Sequence, residues 1–99
     1  MAKYFLTNKA VEDLSKIWDY TYEVWSENQA DKYYELLIDS FKNISENPEI
    51  GKNYDEIDSK IFGLPVGKHI VFYQVTKPTE IEILRILHER MDLKNKIEE

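Results

Sequence analysis

Five consecutive residues near the end of this 99-residue chain carry its most versatile chemistry: His88, Glu89, Arg90, Met91 and Asp92. An imidazole that titrates near neutrality stands beside a guanidinium, two carboxylates and a soft thioether. Such a mixture suits recognition of a protein surface, and the imidazole also suits proton transfer. The chain's other histidine is His69. Two histidines without further ligands at metal-binding spacing do not make a metal site, so no metal is expected. Gly51, Gly63 and Gly67 are isolated turn glycines, not a phosphate-cradling loop, and no cofactor is expected. The chain has no cysteine. That removes disulfides, thiolate ligands and thiol nucleophiles, and it fits a cytoplasmic protein.

The segment before this cluster has to position it. Residues 69–75 and 81–87 are apolar runs of strand length around a short loop with Pro78 and Thr79, which is a hairpin pattern. Ile81–Leu87 is interrupted only by Glu82 and Arg85, as in an interior strand covered on both sides. His88–Asp92 then falls where a rigid element hands over to a loop, a usual place for function. Arg85 is expected to pair with an acidic side chain across the sheet, and His88 to make a hydrogen bond at the strand end. In the first strand of the hairpin, Val71, Tyr73 and Val75 alternate with Ile70 and Phe72. If the first set faces the helices, Ile70 and Phe72 face outward, and Phe62 and Leu64 extend them into an apolar outer patch. An exposed patch of that kind marks a binding surface.

The rest of the chain supplies a scaffold. Lys3–Thr7 reads as a short strand, with Thr7 as N-cap of a following helix. Ala10, Leu14, Ile17, Trp18, Thr21, Val24 and Trp25 form a stripe at helical period, which places both tryptophans in the core. Ser26 with Gln29 is a capping box that starts a second helix. Its stripe is Ala30, Tyr33, Leu37, Phe41 and Ile44, and Pro48 ends it near Glu46. After a polar connection, residues 60–64 form another strand. The expected fold is α+β and two-layer, in the order β-α-α-β-β-β. A helix hairpin covers one face of an antiparallel sheet of order 1-4-3-2, with the first strand antiparallel to the last. Leu14, Ile17, Trp18, Leu37, Phe41, Val71 and Leu84 are expected in one core. Residues 1–99 make one domain, with a charged tail at 94–99 loosely held.

Composition narrows the partners. The chain is 42% hydrophobic and 32% charged, a globular balance, with a formal net charge of −6. Residues 1–50 hold five basic against ten acidic side chains, and residues 51–99 hold eight against nine. No clustered basic surface is advertised, so direct nucleic-acid binding is not expected. No apolar run is long enough to span a bilayer, and MAKYFLT lacks a signal-peptide core, so neither a membrane nor export is expected.

Several motifs carry a resemblance. Gly67-x-His69-Ile70-Val71-Phe72-Tyr73 and Ile83-Leu84-Arg85-Ile86-Leu87-His88-x-x-Met91-Asp92 resemble the C-terminal half of ParE-type toxins. So do the Ser26-x-x-Gln29-Ala30 junction, the Asn47-Pro48-x-x-Gly51 exit, and the opening Leu6-Thr7, Ala10, Asp13-Leu14, Ile17 and Tyr20. The likeness runs from residue 4 to about residue 93. It implies the toxin of a type II toxin–antitoxin pair, inhibiting DNA gyrase by binding and neutralised by a ParD-type antitoxin in a hetero-oligomer. On that reading there are no catalytic residues. His88, Arg90, Met91 and Asp92 meet the target, and Phe62, Leu64, Ile70 and Phe72 meet the antitoxin. The related RelE-type toxins, which cut messenger RNA on the ribosome, give an alternative. Positions matching their basic residues hold Lys60, Phe62, Ile70 and Arg90, so a nuclease would rely on His88, Arg90 and Lys60. A degenerate member that only binds its antitoxin is a third reading.

Overall fold

A computed structural model describes residues 3–98. Strand β1 (Lys3–Leu6) leads into helix α1 (Asn8–Val24), and helix α2 (Glu27–Glu46) returns beside it. Both helix starts are capped as their sequences require. The Thr7 hydroxyl accepts from the Ala10 N–H at 3.1 Å, and the Ser26 hydroxyl accepts from the Gln29 N–H at 3.1 Å. Then come β2 (Lys52–Asn53), β3 (Phe62–Val66), β4 (His69–Lys77), β5 (Glu80–His88) and a short helix α3 (Leu93–Glu98).

The sheet runs β1-β5-β4-β3-β2, so the expected neighbours are present, with one strand added at the edge. The expected antiparallel closure is not what forms. β1 pairs with β5 in parallel, and the sheet is mixed. The cause lies in the polar connection after α2. It contains β2, which pairs antiparallel with β3 and reverses the chain once more before the meander begins. That extra reversal flips the direction of every later strand.

The core lies between the helix pair and one sheet face. Leu14, Leu37, Phe41, Val71 and Tyr73 are buried there with Ile81, Ile83 and Ile86, and Ile17 packs against them. Three residues expected in this core are elsewhere. Trp25 is 73% exposed at the end of α1. Trp18 is half-buried and lies outside the cluster. Adjacent helical residues point about 100° apart, so the sheet that buries Ile17 cannot also bury Trp18. Leu84 packs on the opposite sheet face. Its continuous apolar run gives no clue to which side each residue takes, and the β4–β5 register shifts around it: Tyr73 opposes Ile83 while Phe72 opposes Arg85. Leu84 is the extra residue of that bulge. A second shift near Thr76 compensates for it.

Most of the tail expected to be loosely held is helical, in α3. Leu93 and Ile97 of α3 pack on the outer sheet face, and Arg85 donates from Nη1 to the Lys96 carbonyl at 2.7 Å. Glu99, also assigned to that tail, falls outside the described residues. The partner of Arg85 is also not across the sheet. It is Asp13 on α1, held by two charge-assisted hydrogen bonds of 2.7 and 2.9 Å. Asp13 further accepts the Ile86 N–H at 3.1 Å.

Both charged side chains of this pair are nearly buried, at 12% and 11% exposure. Removing one partner strands the other, which typically costs about 3–5 kcal/mol. Asp13→Ala is therefore expected to lower unfolding free energy by that amount in urea denaturation. Asp13→Leu combined with Arg85→Met should be less damaging, because no unpaired charge stays buried. A cost below about 1 kcal/mol for Asp13→Ala, the level of an exposed surface pair, would contradict this assignment.

Candidate functional site

The end of β5 is built on a pair of histidines. The two-residue loop Pro78-Thr79 sets Lys77 opposite Glu80, the two bulges cancel, and His69 comes to lie opposite His88. Their rings meet edge to face with centroids 5.4 Å apart. A third ring joins from α2. The Tyr33 hydroxyl lies 2.6 Å from His69 Nδ1 and accepts the Lys68 N–H at 3.1 Å. So short a contact fits donation from the hydroxyl to an unprotonated Nδ1. Gly67 makes this approach possible. Its φ of +59° suits glycine, and a side chain there would run into the Tyr33 ring.

This packing decides the charge state of His69. Burial disfavours the imidazolium, and neighbouring His88 adds repulsion, so the pKa of His69 falls from 6.5 to about 4. Burial likewise raises the Tyr33 pKa. Tyr33 and His69 form an uncharged pair at neutral pH, a support under His88 that periodicity in the sequence did not reveal. Counting back from the hairpin loop would have found the histidine pairing. Nothing in the pattern of α2 singles out Tyr33 from the rest of its stripe.

The chain beyond His88 is folded back on itself. The Arg90 N–H donates to His88 Nδ1 at 3.2 Å, and the Met91 N–H donates to the His88 carbonyl at 3.0 Å. The expected strand-end hydrogen bond of His88 is thus present. Asp92, just before α3, accepts from the Asn95 amide side chain at 2.6 Å. The side chains of Arg90 and Met91 are exposed, with Met91 at 45%. His88, Arg90, Met91 and Asp92 therefore form one contiguous end, fixed by β5 on one side and α3 on the other. Lys60 does not join them. It precedes β3 at Phe62, whereas His69 pairs with Val66 at the other end of that strand.

The apolar outer patch expected from Phe62, Leu64, Ile70 and Phe72 does not exist as a single surface. Phe62 and Leu64 oppose Tyr73 and Val71, so they share the helix-facing side and pack on the main core. Ile70 and Phe72 do face away from the helices, but they are buried at 7% and 0% exposure. The residues 54–61 and α3 cover them with Tyr54, Ile57, Ile61, Leu93 and Ile97. Tyr54 meets Phe72 edge-on with centroids 5.1 Å apart. Gly63 leaves room for that ring, since a Cβ there would come within 2.6 Å of it. Burying a side chain as large as Phe72 is worth roughly 1.5–3 kcal/mol, so the chain closes this face itself. Phe72→Asp would unfold the protein rather than test a surface.

Among the described residues no group of three acidic or histidine side chains is placed to hold a metal ion. No helix among them is long and apolar enough to cross a membrane.

The Tyr33–His69 pair gives a direct test. Stability should fall as pH drops from about 6.5 toward about 4, because the unfolded chain then binds a proton that folded His69 refuses. In a proton NMR titration the His69 ring signals should move only near pH 4. His69→Gln should flatten the acid-side loss of stability. A midpoint for His69 near 6.5 would show the ring to be open to water.

This architecture and sequence match known proteins over nearly the whole chain. The family model described as ParE toxin of type II toxin-antitoxin system, parDE, matches residues 4–93. Toxin ParE1 of Mycobacterium tuberculosis is 38% identical over 92 residues, covering 93% of this chain and 94% of that protein. Toxin ParE1 of Caulobacter vibrioides is 33% identical over 92 residues, with the same coverage of 93% and 94%. Among solved structures, a chain of the chromosomal ParDE system from P. aeruginosa superposes with a TM-score of 0.76 at 23% identity. The match spans 89% of this chain and 96% of that one. A chain of the RelBE2 complex from Mycobacterium tuberculosis gives 0.69 at 19% identity, covering 89% and 98%. The two structures establish the shared fold, and the family match with the two relatives establishes descent: this chain belongs to the ParE toxins of type II toxin–antitoxin systems.

Proposed function

We propose that this toxin inhibits DNA gyrase by binding it through the His88–Asp92 end, without catalysis of its own, and that a ParD-type antitoxin holds it inactive. The observation that carries the reading is the family match across residues 4–93, which includes that end. The geometry supports a binding surface there. Arg90 and Met91 project from a short segment pinned by β5 and α3, so they are presented at little entropic cost. An exposed guanidinium and a flexible thioether are residue types that interfaces favour. The antitoxin is the natural partner, given the ParDE and RelBE complexes whose toxin chains share this fold.

The ribonuclease alternative asks for more than the site offers. It needs His88, Arg90 and a basic residue at Lys60 to converge on one phosphate. Lys60 stands at the far end of β3. His88 Nδ1 already accepts a backbone N–H.

Two assays of purified, antitoxin-free chain separate the readings. Supercoiling by gyrase should be inhibited, and a defined message on ribosomes should stay intact. Arg90→Ala or Met91→Ala should weaken inhibition by about tenfold or more, the scale of an interface hot spot. Point substitutions are needed because truncation after Leu87 would remove α3 and uncover Phe72. Site-specific message cleavage that disappears in His88→Ala would overturn the gyrase reading. Inactivity in both assays, with antitoxin binding intact, would indicate a degenerate member.

A further inference from the structure

The turn after β5 has a neighbour that is distant in sequence. The Gly67-Lys68 turn between β3 and β4 lies beside it, because His69 pairs with Val66 on one side and with His88 on the other. Lys68 joins the two turns. Its carbonyl accepts the Glu89 N–H at 3.0 Å, and its own N–H donates to the Tyr33 hydroxyl at 3.1 Å. Both backbone polar groups of Lys68 are therefore tied down, one to the turn after β5 and one to α2. The Tyr33 oxygen can come this close only because residue 67 is glycine, where a Cβ would lie 2.6 Å from it. A turn held from two sides presents its side chain without having to be ordered on binding.

The side chain so presented is a cation. Lys68 is exposed, and so is Arg90 on the adjoining turn. Neither belongs to an ion pair: among the described residues those pairs are Lys77–Glu80 and Asp13–Arg85. Two acidic residues share this end. Asp92 accepts from the Asn95 side chain, and the charge of Glu89 acts on Tyr33 and His69. The two open cations stand on a chain whose net charge is −6 and whose first 50 residues hold ten acidic against five basic side chains. An acidic protein that leads with cations is steered toward a surface of opposite sign. We infer that Lys68 is part of the gyrase-contacting surface together with Arg90, and that the patch of gyrase they meet carries Asp or Glu carboxylates. This rests on the gyrase reading above. Lys68 would act there as a compact point charge beside the planar fork of Arg90.

The test is gyrase supercoiling in the presence of purified, antitoxin-free chain. Lys68→Glu should weaken inhibition by about tenfold or more. Lys77→Glu makes the same charge change at the far end of β4, on a side chain 70% exposed. It should leave inhibition nearly unchanged, because nine strand residues separate the two positions by about 30 Å, well beyond the screening length of about 10 Å at 0.1 M salt. Rising salt should weaken inhibition by the unaltered chain more steeply than inhibition by Lys68→Ala. Equal inhibition by Lys68→Glu and the unaltered chain overturns the inference while the gyrase reading stands. An equal loss in Lys68→Glu and Lys77→Glu also overturns it, since net charge alone would then account for the effect. Binding of the chain to duplex DNA without gyrase, lost in Lys68→Glu, would overturn it by assigning the cations to phosphates. Failure of the unaltered chain to inhibit gyrase would instead remove the reading on which the inference rests.

Discussion

The ion pair between Asp13 and Arg85 ties α1, β5 and α3 together at the place where β5 runs past β1. β1 pairs only with residues 80–83 of β5, so the second half of β5 runs past its neighbour. Backbone groups left open there would be costly inside the protein. Thr7 continues the ladder by donating its N–H to the Ile83 carbonyl at 3.0 Å and its hydroxyl to Leu84 at 2.8 Å. Asp13 then takes the Ile86 N–H while gripping Arg85, and Arg85 reaches on to α3 through the Lys96 carbonyl. One carboxylate thereby stands in for a missing strand, neutralises a nearly buried cation and anchors the helix that closes the outer face. A hydrophobic replacement could fill the space but could not satisfy those backbone groups.

How much of this was legible follows from which signals are local. Helix starts were, because Thr7 and Ser26 act within three residues of themselves. The order of neighbouring strands was, because short connections leave few choices. Strand direction was not, because two residues of β2 carry too little pattern to announce a reversal. The facing of Leu84 was lost in an unbroken apolar run, where alternation has no polar partner to mark it. Trp18 and Trp25 were misplaced for a related reason: two overlapping helical rows, one toward the sheet and one toward solvent, look like a single broad stripe. The end of β5 was readable as a cluster of residue types, whereas its support by Tyr33 depends on a contact between α2 and β4.

Tyr33 and His69 show how a polar pair can be built into a site without adding charge to it. A charged His69 would sit beside His88, and the protein avoids that by burying the ring and giving it a hydroxyl partner. Arg90 lies beyond this pair, on the exposed side of the turn. The polar network fixes where the turn sits, and the exposed residues beyond it remain available for contacts.

The closure of the outer sheet face bears on what this member of the fold can do. A sheet that grips a message on the ribosome must present cations to the phosphates, and the resemblance to RelE-type toxins implies basic residues on an open face. Here Ile70 and Phe72 occupy that face, and Tyr54, Ile57, Leu93 and Ile97 lie over it. Apolar contacts of this kind cannot stabilise developing negative charge, and the segments making them would have to leave before a polyanion approached. Removing them would expose Phe72 and Ile70 and would pull α3 away from Arg85. The same contacts that keep this toxin folded therefore weigh against a nucleic-acid substrate. They leave the turn after β5 open, with Arg90 and Met91 exposed on it.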